Sequence, residues 1–361
     1  GNNVTVHAAQ LGTTALGDIT AVGNVSIDAM GVLGGSATVS AVTVGDIAVS
    51  SSVGNQTTIS VQFDGNSDMT FGALTADTVS LDASNYLGSI VTTNVGGTVD
   101  AAIGAIKADT VDIKGSEIGA NTFGSAANTG NFITANTLTY TGGLSVDEVF
   151  LTGKSGTDMD VRLYTGADDD NVTISSASTT TKITVTGDMG GDNNDEITVE
   201  GALASAAINI NLSGLTGYST SKITGTSYDD TITLGSGVDT VIFGANVAAN
   251  GNDTIKGFEA GVGKDILDVS AFVTTLGSTL TDADVSANLS VTTKGVGVWY
   301  GSTDGVLDAS DIIDTGTTAG KVTVANGDTV IVLVTTADDH VAGDYNMYYV
   351  TGATGGATVE L

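Results

Sequence analysis

Asp230 and Asp239 stand nine residues apart, and each is followed two positions later by an aliphatic residue, Ile232 and Val241. Glycine precedes each: Gly225 for the first, Gly235 and Gly237 for the second. A register of nine with glycine ahead of aspartate constrains the chain strongly. Six residues turn sharply and three form a short strand whose apolar residue points inward, so successive copies coil upon one another. Gly235-Ser-Gly237-Val-Asp239-Thr-Val241 is the fullest copy. Gly225-Thr-Ser-Tyr-Asp229-Asp230-Thr-Ile232 is looser, and Gly251-Asn252-Asp253-Thr-Ile255 and Gly263-Lys-Asp265-Ile-Leu267 repeat its core. Echoes lie upstream in Gly166-Ala-Asp-Asp-Asp170-Asn-Val172 and Gly190-Gly-Asp-Asn-Asn-Asp195-Glu-Ile197.

These residue types in this order suit a hard cation. Ca²⁺ takes six to eight oxygens at about 2.3–2.6 Å, so a site needs carboxylates, open carbonyls and glycines that let the chain curl closely around the ion. One turn supplies too few oxygens, but facing turns of successive coils share them. The candidate ligands are Asp229, Asp230, Asn252, Asp253, Asp239 and Asp265, with Gly235 and Gly237 shaping the turn; Asp170 and Asp195 are candidates upstream. The plainer reading is that glycine and aspartate make ordinary β-turns here, as they do in many all-β proteins.

Residues 223–272 resemble the repeats-in-toxin (RTX) proteins, bacterial proteins exported by type I machinery. The ending Gly251-Asn-Asp-Thr-Ile-Lys-Gly-Phe258, followed by Asp265-Ile-Leu-Asp-Val-Ser270, is similar to the closing unit of that family's calcium β-rolls. The resemblance implies a parallel roll, bound Ca²⁺ and secretion.

The rest of the chain reads as strands. Asn24–Ile27, Ala37–Val44 and Thr57–Phe63 alternate aliphatic with small polar residues, the period of a strand with one buried face. One motif recurs above that alternation, as Ala76-Asp-Thr-Val-Ser-Leu81, Ala108-Asp-Thr-Val-Asp-Ile113 and Ala135-Asn-Thr-Leu-Thr-Tyr140. Loosely spaced copies suit coils of a parallel β-solenoid, each burying its apolar face on the next. A β-sandwich is the competing reading. The expected fold is all-β: a solenoid over 1–142, an acidic continuation over 143–222, the calcium roll over 223–272 and an antiparallel cap over 273–361. Within the cap, Thr281 or Asp282 is expected to open a short helix. Lys321–Val334 reads as a hairpin turning at Asn326-Gly327 in type I′ geometry.

Composition narrows function. Among 361 residues there are 35 Asp and 6 Glu against ten basic residues, a net charge of −31. That balance disfavours nucleic acid, whose phosphates are met by Lys and Arg, and docking on anionic lipid. The absence of Cys removes disulfides, thiolate metal sites and cysteine nucleophiles. The longest aliphatic run, Val330–Val334, is far short of a spanning helix. No apolar leader follows Gly1, so processing, truncation or export by a C-terminal signal is expected. There is no His-Glu-x-x-His helix and no Gly-x-Ser-x-Gly elbow, which disfavours a metalloprotease or a lipase.

In its Thr/Ala/Gly/Val/Asp texture, its lack of Cys and its Gly/Asp segment followed by a β cap, the whole chain resembles the surface-layer (S-layer) proteins of Gram-negative bacteria. This resemblance implies a structural subunit that forms a calcium-dependent two-dimensional lattice with copies of itself on the cell surface, in possible contact with surface polysaccharide. It implies neither catalysis nor membrane insertion. The alternative is a fragment of a type I secreted adhesin or extracellular fibre.

Overall fold

The three copies of the Ala-Asp/Asn-Thr motif lie edge to edge. In the computed structural model Thr78–Asp82 pairs in parallel with Thr110–Lys114, which pairs in parallel with Thr137–Gly143. Val79 sits opposite Val111 and Val111 opposite Leu138, while Leu81, Ile113 and Tyr140 form the next row. All six side chains are buried. Ser80, between Val79 and Leu81, faces the other side and is half-buried. Alternation therefore selects one inner face, and the inner residues of one coil cover those of the next. Each fully buried aliphatic side chain in such a stack contributes roughly 1.5–3 kcal/mol.

The structure describes the strands of the first 103 residues with residues 76, 83 and 84, then residues 105–116, 120–123, 133–154, 158–190, 194–244, 247–259 and 263–271, and the strands between 280 and 360. Two sheets make up the solenoid. Among the described residues an eleven-stranded sheet runs from Val4–His7 to Thr254–Lys256, and a seventeen-stranded one carries the return strands of the coils. The pairings in both are parallel, and that of Lys182–Asp188 with Asn209–Thr216 shifts register between Thr184 and Thr186. This is a parallel β-solenoid, and the sandwich reading is set aside. The alternating segment 37–44 forms two strands, Ser36–Val39 and Val42–Val44.

No break in the first sheet separates the early coils from the Gly/Asp segment. Thr231–Thr233 stacks on Asn209–Thr216 as that strand stacks on Lys182–Asp188. Residues 1–242 with 253–267 form one compact unit, and residues 243–252 with 268–361 form a second.

The second unit holds a five-stranded sheet. Its last three strands, Thr329–Thr335, Tyr345–Ala353 and Gly356–Glu360, are antiparallel, the arrangement expected of the cap. Leu280–Asp284 and Val296–Tyr300 extend this sheet in parallel. Two expectations are corrected here. The segment at Thr281 and Asp282 is a strand, not a helix: pairing with Val296–Tyr300 outweighs the local capping signal. Nor do Val322–Val324 and Thr329–Thr335 form a hairpin. The first pairs with Leu289–Val291 in a separate two-stranded sheet. The second has both edges occupied, by Val296–Tyr300 and by Tyr345–Ala353, and buries Val330, Ile331, Val332 and Val334. The turn at Asn326-Gly327 lies outside the described residues.

Candidate functional site

The aspartates of the Gly/Asp repeat stand at the entry to short strands, and the two-residue period turns them inward with the apolar residue that follows. Asp230 precedes Thr231–Thr233 and is buried together with Ile232. Asp239 lies within Val238–Ile242 and is buried together with Val241. The nine-residue step between them crosses from one sheet to the other, so they do not stack on each other. Their stacking partners lie one coil further on. The Asp230 N–H donates to Asp253 Oδ1 at 3.0 Å, and the Asp239 N–H donates to Asp265 Oδ1 at 2.9 Å. Carboxylate is thus placed above carboxylate in both sheets.

The donors around the two inner aspartates are ample. Asp230 accepts from the Ile208 N–H at 2.8 Å, from the Thr226 hydroxyl at 2.8 Å and from the Thr226 N–H. Asp239 accepts from the Tyr218 hydroxyl at 2.9 Å, the Ser221 hydroxyl and the Gly235 N–H at 3.1 Å. Asp265 also accepts the Glu259 N–H at 2.7 Å. Asp229 and Asn252 are exposed.

Gly235 and Gly237 serve a purpose that their sequence pattern does not reveal. A Cβ on Gly235 would lie 2.3 Å from the Tyr218 hydroxyl, and one on Gly237 would lie 2.3 Å from Tyr218 Cε2. Neither glycine has a left-handed φ. They leave space for the Tyr218 ring, which reaches under the turn to Asp239. At Gly166 the backbone itself requires glycine: φ is +109°, and a Cβ would lie 2.0 Å from the Gly143 carbonyl oxygen of the neighbouring coil.

The upstream candidates belong to a longer column. Register places Asn121 opposite Asp147, and Asn171 opposite both Glu148 and Glu196, so Asn121, Asp147, Asp170 and Asp195 stack at one inner corner. Asn121 donates to Asp147 Oδ1 from its N–H at 3.2 Å and from its amide at 2.7 Å. The Asp147 N–H donates to Asp170 Oδ1 at 2.8 Å, and the Asp170 N–H to Asp195 Oδ1 at 2.9 Å. Every step joins a main-chain donor to the carboxylate one coil later. Asp147 and Asn121 escaped the sequence reading. The signal was present: Gly142 precedes Asp147 by five residues as Gly225 precedes Asp230, and Val149 follows two positions on.

Burial of these acids costs free energy unless charge is compensated. It pushes the Asp147 carboxyl up to about 7, opposed by the Asn121 amide and reinforced by the charge of Asp170. Asp170 is pushed up to about 6 by burial, with Asp195 and Asp168 adding repulsion. Burial pushes Asp253 up to about 7, with Asp230 and Asp229 adding to it. Asp239 is raised by burial first and by Asp265 as well. Among the described residues no three His, Cys, Asp or Glu side chains converge as a metal-holding group. The oxygens that face a cation here would be two carboxylates from adjacent coils together with hydroxyl or main-chain oxygens. No helix of the described residues is long and apolar enough to cross a membrane. Comparison with protein-family models, with curated proteins and with solved structures finds no match for the chain.

Proposed function

We propose that the chain is a structural, secreted subunit of a bacterial surface layer, folded and assembled by Ca²⁺, and that it works by self-association and not by catalysis. One observation carries this reading: like-charged carboxylates are stacked coil above coil beside glycine turns, Asp230 with Asp253 and Asp239 with Asp265. In a chain of net charge −31, such stacking requires a counter-charge. The donor set is all oxygen, which suits Ca²⁺ and not a softer metal. Each hydrogen bond to a carboxylate uses one lone pair and leaves others for a cation, so ion binding need not dismantle the column. Asp230, Asp239, Asp253 and Asp265 would hold the ions; the chemistry a bound ion supplies there is neutralisation.

The same charge keeps isolated subunits apart. Where calcium is scarce, as inside a cell, repulsion within the roll and between subunits opposes folding and assembly alike. At millimolar Ca²⁺ the roll folds and neighbouring copies are bridged through surface carboxylates. The RTX and S-layer resemblance supports this sequence of events.

The test is a calcium titration of the purified chain followed by circular dichroism, light scattering and negative-stain microscopy. The expected result is a gain of strand signal, followed by an abrupt passage from monomer to ordered sheets that chelator reverses. Unchanged strand content in chelator and calcium would refute the folding step. A monodisperse monomer at all calcium concentrations would refute the lattice and favour the adhesin.

A further inference from the structure

We propose that the solenoid interior holds a divalent cation between Asp147 and Asp170, with the Tyr140 hydroxyl as a third oxygen ligand. This rests on the calcium reading above and extends it to coils that precede the Gly/Asp segment. Asp147 is 0% exposed and Asp170 1%. Each carboxylate uses Oδ1 to accept donors from the preceding coil, and each leaves a buried Oδ2 that meets no hydrogen-bond donor. The Tyr140 hydroxyl is also fully buried and makes no hydrogen bond of standard geometry, though the Asp147 carboxylate lies within its reach. It faces the Asp147 carboxylate, whose charge adds to burial in pushing the phenol well above its ordinary range. A fourth oxygen is close. The point where a Gly142 Cβ would sit lies 1.7 Å from Asp147 Oδ2 and 2.3 Å from the Thr165 carbonyl oxygen. Unpaired carboxylate oxygens and a carbonyl oxygen thus lie about a single O–H donor, that of Tyr140.

Spacing favours an ion over an empty gap. Adjacent parallel strands run about 4.8 Å apart, so equivalent carboxylate oxygens of successive coils are separated by about that distance. Two calcium–oxygen bonds of about 2.3–2.6 Å placed end to end span the same length. Two carboxylates and one divalent cation are electrically neutral, which removes the penalty of burying either charge alone.

Asn121 provides the control. It occupies the same position of the column one coil earlier, beside Gly115, where an amide packs and hydrogen-bonds to Ser116. Asp147→Asn is therefore compatible with the fold. Tyr140→Phe keeps the ring that packs edge-on against Phe123 at 5.8 Å between centroids. The full chain and both variants are titrated with Ca²⁺ by calorimetry, and with Tb³⁺ by luminescence excited through tyrosine.

The expected result is that Asp147→Asn binds one Ca²⁺ fewer than the parent. Tyr140→Phe is expected to weaken one class of sites about tenfold and to lose part of the tyrosine-sensitised terbium emission. If both variants keep the parent's ion count and emission, the buried site is refuted while the roll reading stands. If the parent itself binds no ion, both fall. Should circular dichroism show Asp147→Asn unfolded, Tyr140→Phe alone decides.

Discussion

Replacing Gly237 by alanine tests what that glycine is for. A Cβ there would sit 2.3 Å from Tyr218 Cε2, 2.5 Å from Cδ2 and 2.9 Å from the Tyr218 carbonyl oxygen. A shift of a few tenths of an ångström does not relieve this, since ordinary contact with Cε2 requires a displacement of about 1 Å. The ring must leave its slot. Overpacking of this kind costs about 1–3 kcal/mol, and losing the Tyr218 hydrogen bond to a buried carboxylate adds about 1.5–3 kcal/mol, so a loss of about 2.5–6 kcal/mol is expected. The assay is urea unfolding by circular dichroism at saturating Ca²⁺ for Gly237→Ala, Tyr218→Ala and the double variant. If the glycine makes room for the ring, the two losses overlap, with a coupling of about 0.5–3 kcal/mol. A Gly237→Ala loss that persists undiminished in the Tyr218→Ala background would refute the reasoning.

Two further outcomes are expected. Leu138→Ala, in the middle of an inner row, loses about 2–5 kcal/mol, whereas Thr139→Ala on the outward side changes stability by less than about 0.5 kcal/mol; equal losses at the two positions, measured by urea unfolding, would contradict the assigned faces. In chelator, stability falls as pH rises from about 4 to about 7. Asp147 is pushed up to about 7 and Asp170 up to about 6, above the ordinary unfolded carboxyl, so their stabilisation is complete below the unfolded value and is lost as pH rises through the folded ones. Saturating Ca²⁺ flattens this slope, and a urea midpoint that rises over the same window in chelator would reverse the sign.

Much of the solenoid was legible because two signals agree there. The motif at Ala76, Ala108 and Ala135 marked which residues stack, and the alternation within each copy marked which side faces inward. The cap was harder to read, because its pairings are set by neighbours distant in sequence. Val322–Val324 and Thr329–Thr335 are close along the chain, yet Val296–Tyr300 takes one edge of the second strand and Tyr345–Ala353 the other. The site was half legible. Spacing identified Asp230, Asp239, Asp253 and Asp265, but not that they pair across steps of 23 and 26 residues. Tyr218 carries no signal at all, since its role depends on two glycines that follow it by 17 and 19 positions.

The steps of the Asn121–Asp147–Asp170–Asp195 column are 26, 23 and 25 residues long, yet each ends in the same bond from main chain to carboxylate. Coil length and strand alignment are thereby uncoupled. A slip of one residue would turn every inner side chain of a strand outward, and an inserted corner residue invites such a slip. An acid that must meet one particular N–H restores alignment at the start of each return strand, so an error in one corner is not handed on to the next coil. The column works as an index mark, and corners are free to lengthen or shorten while the walls keep their frame.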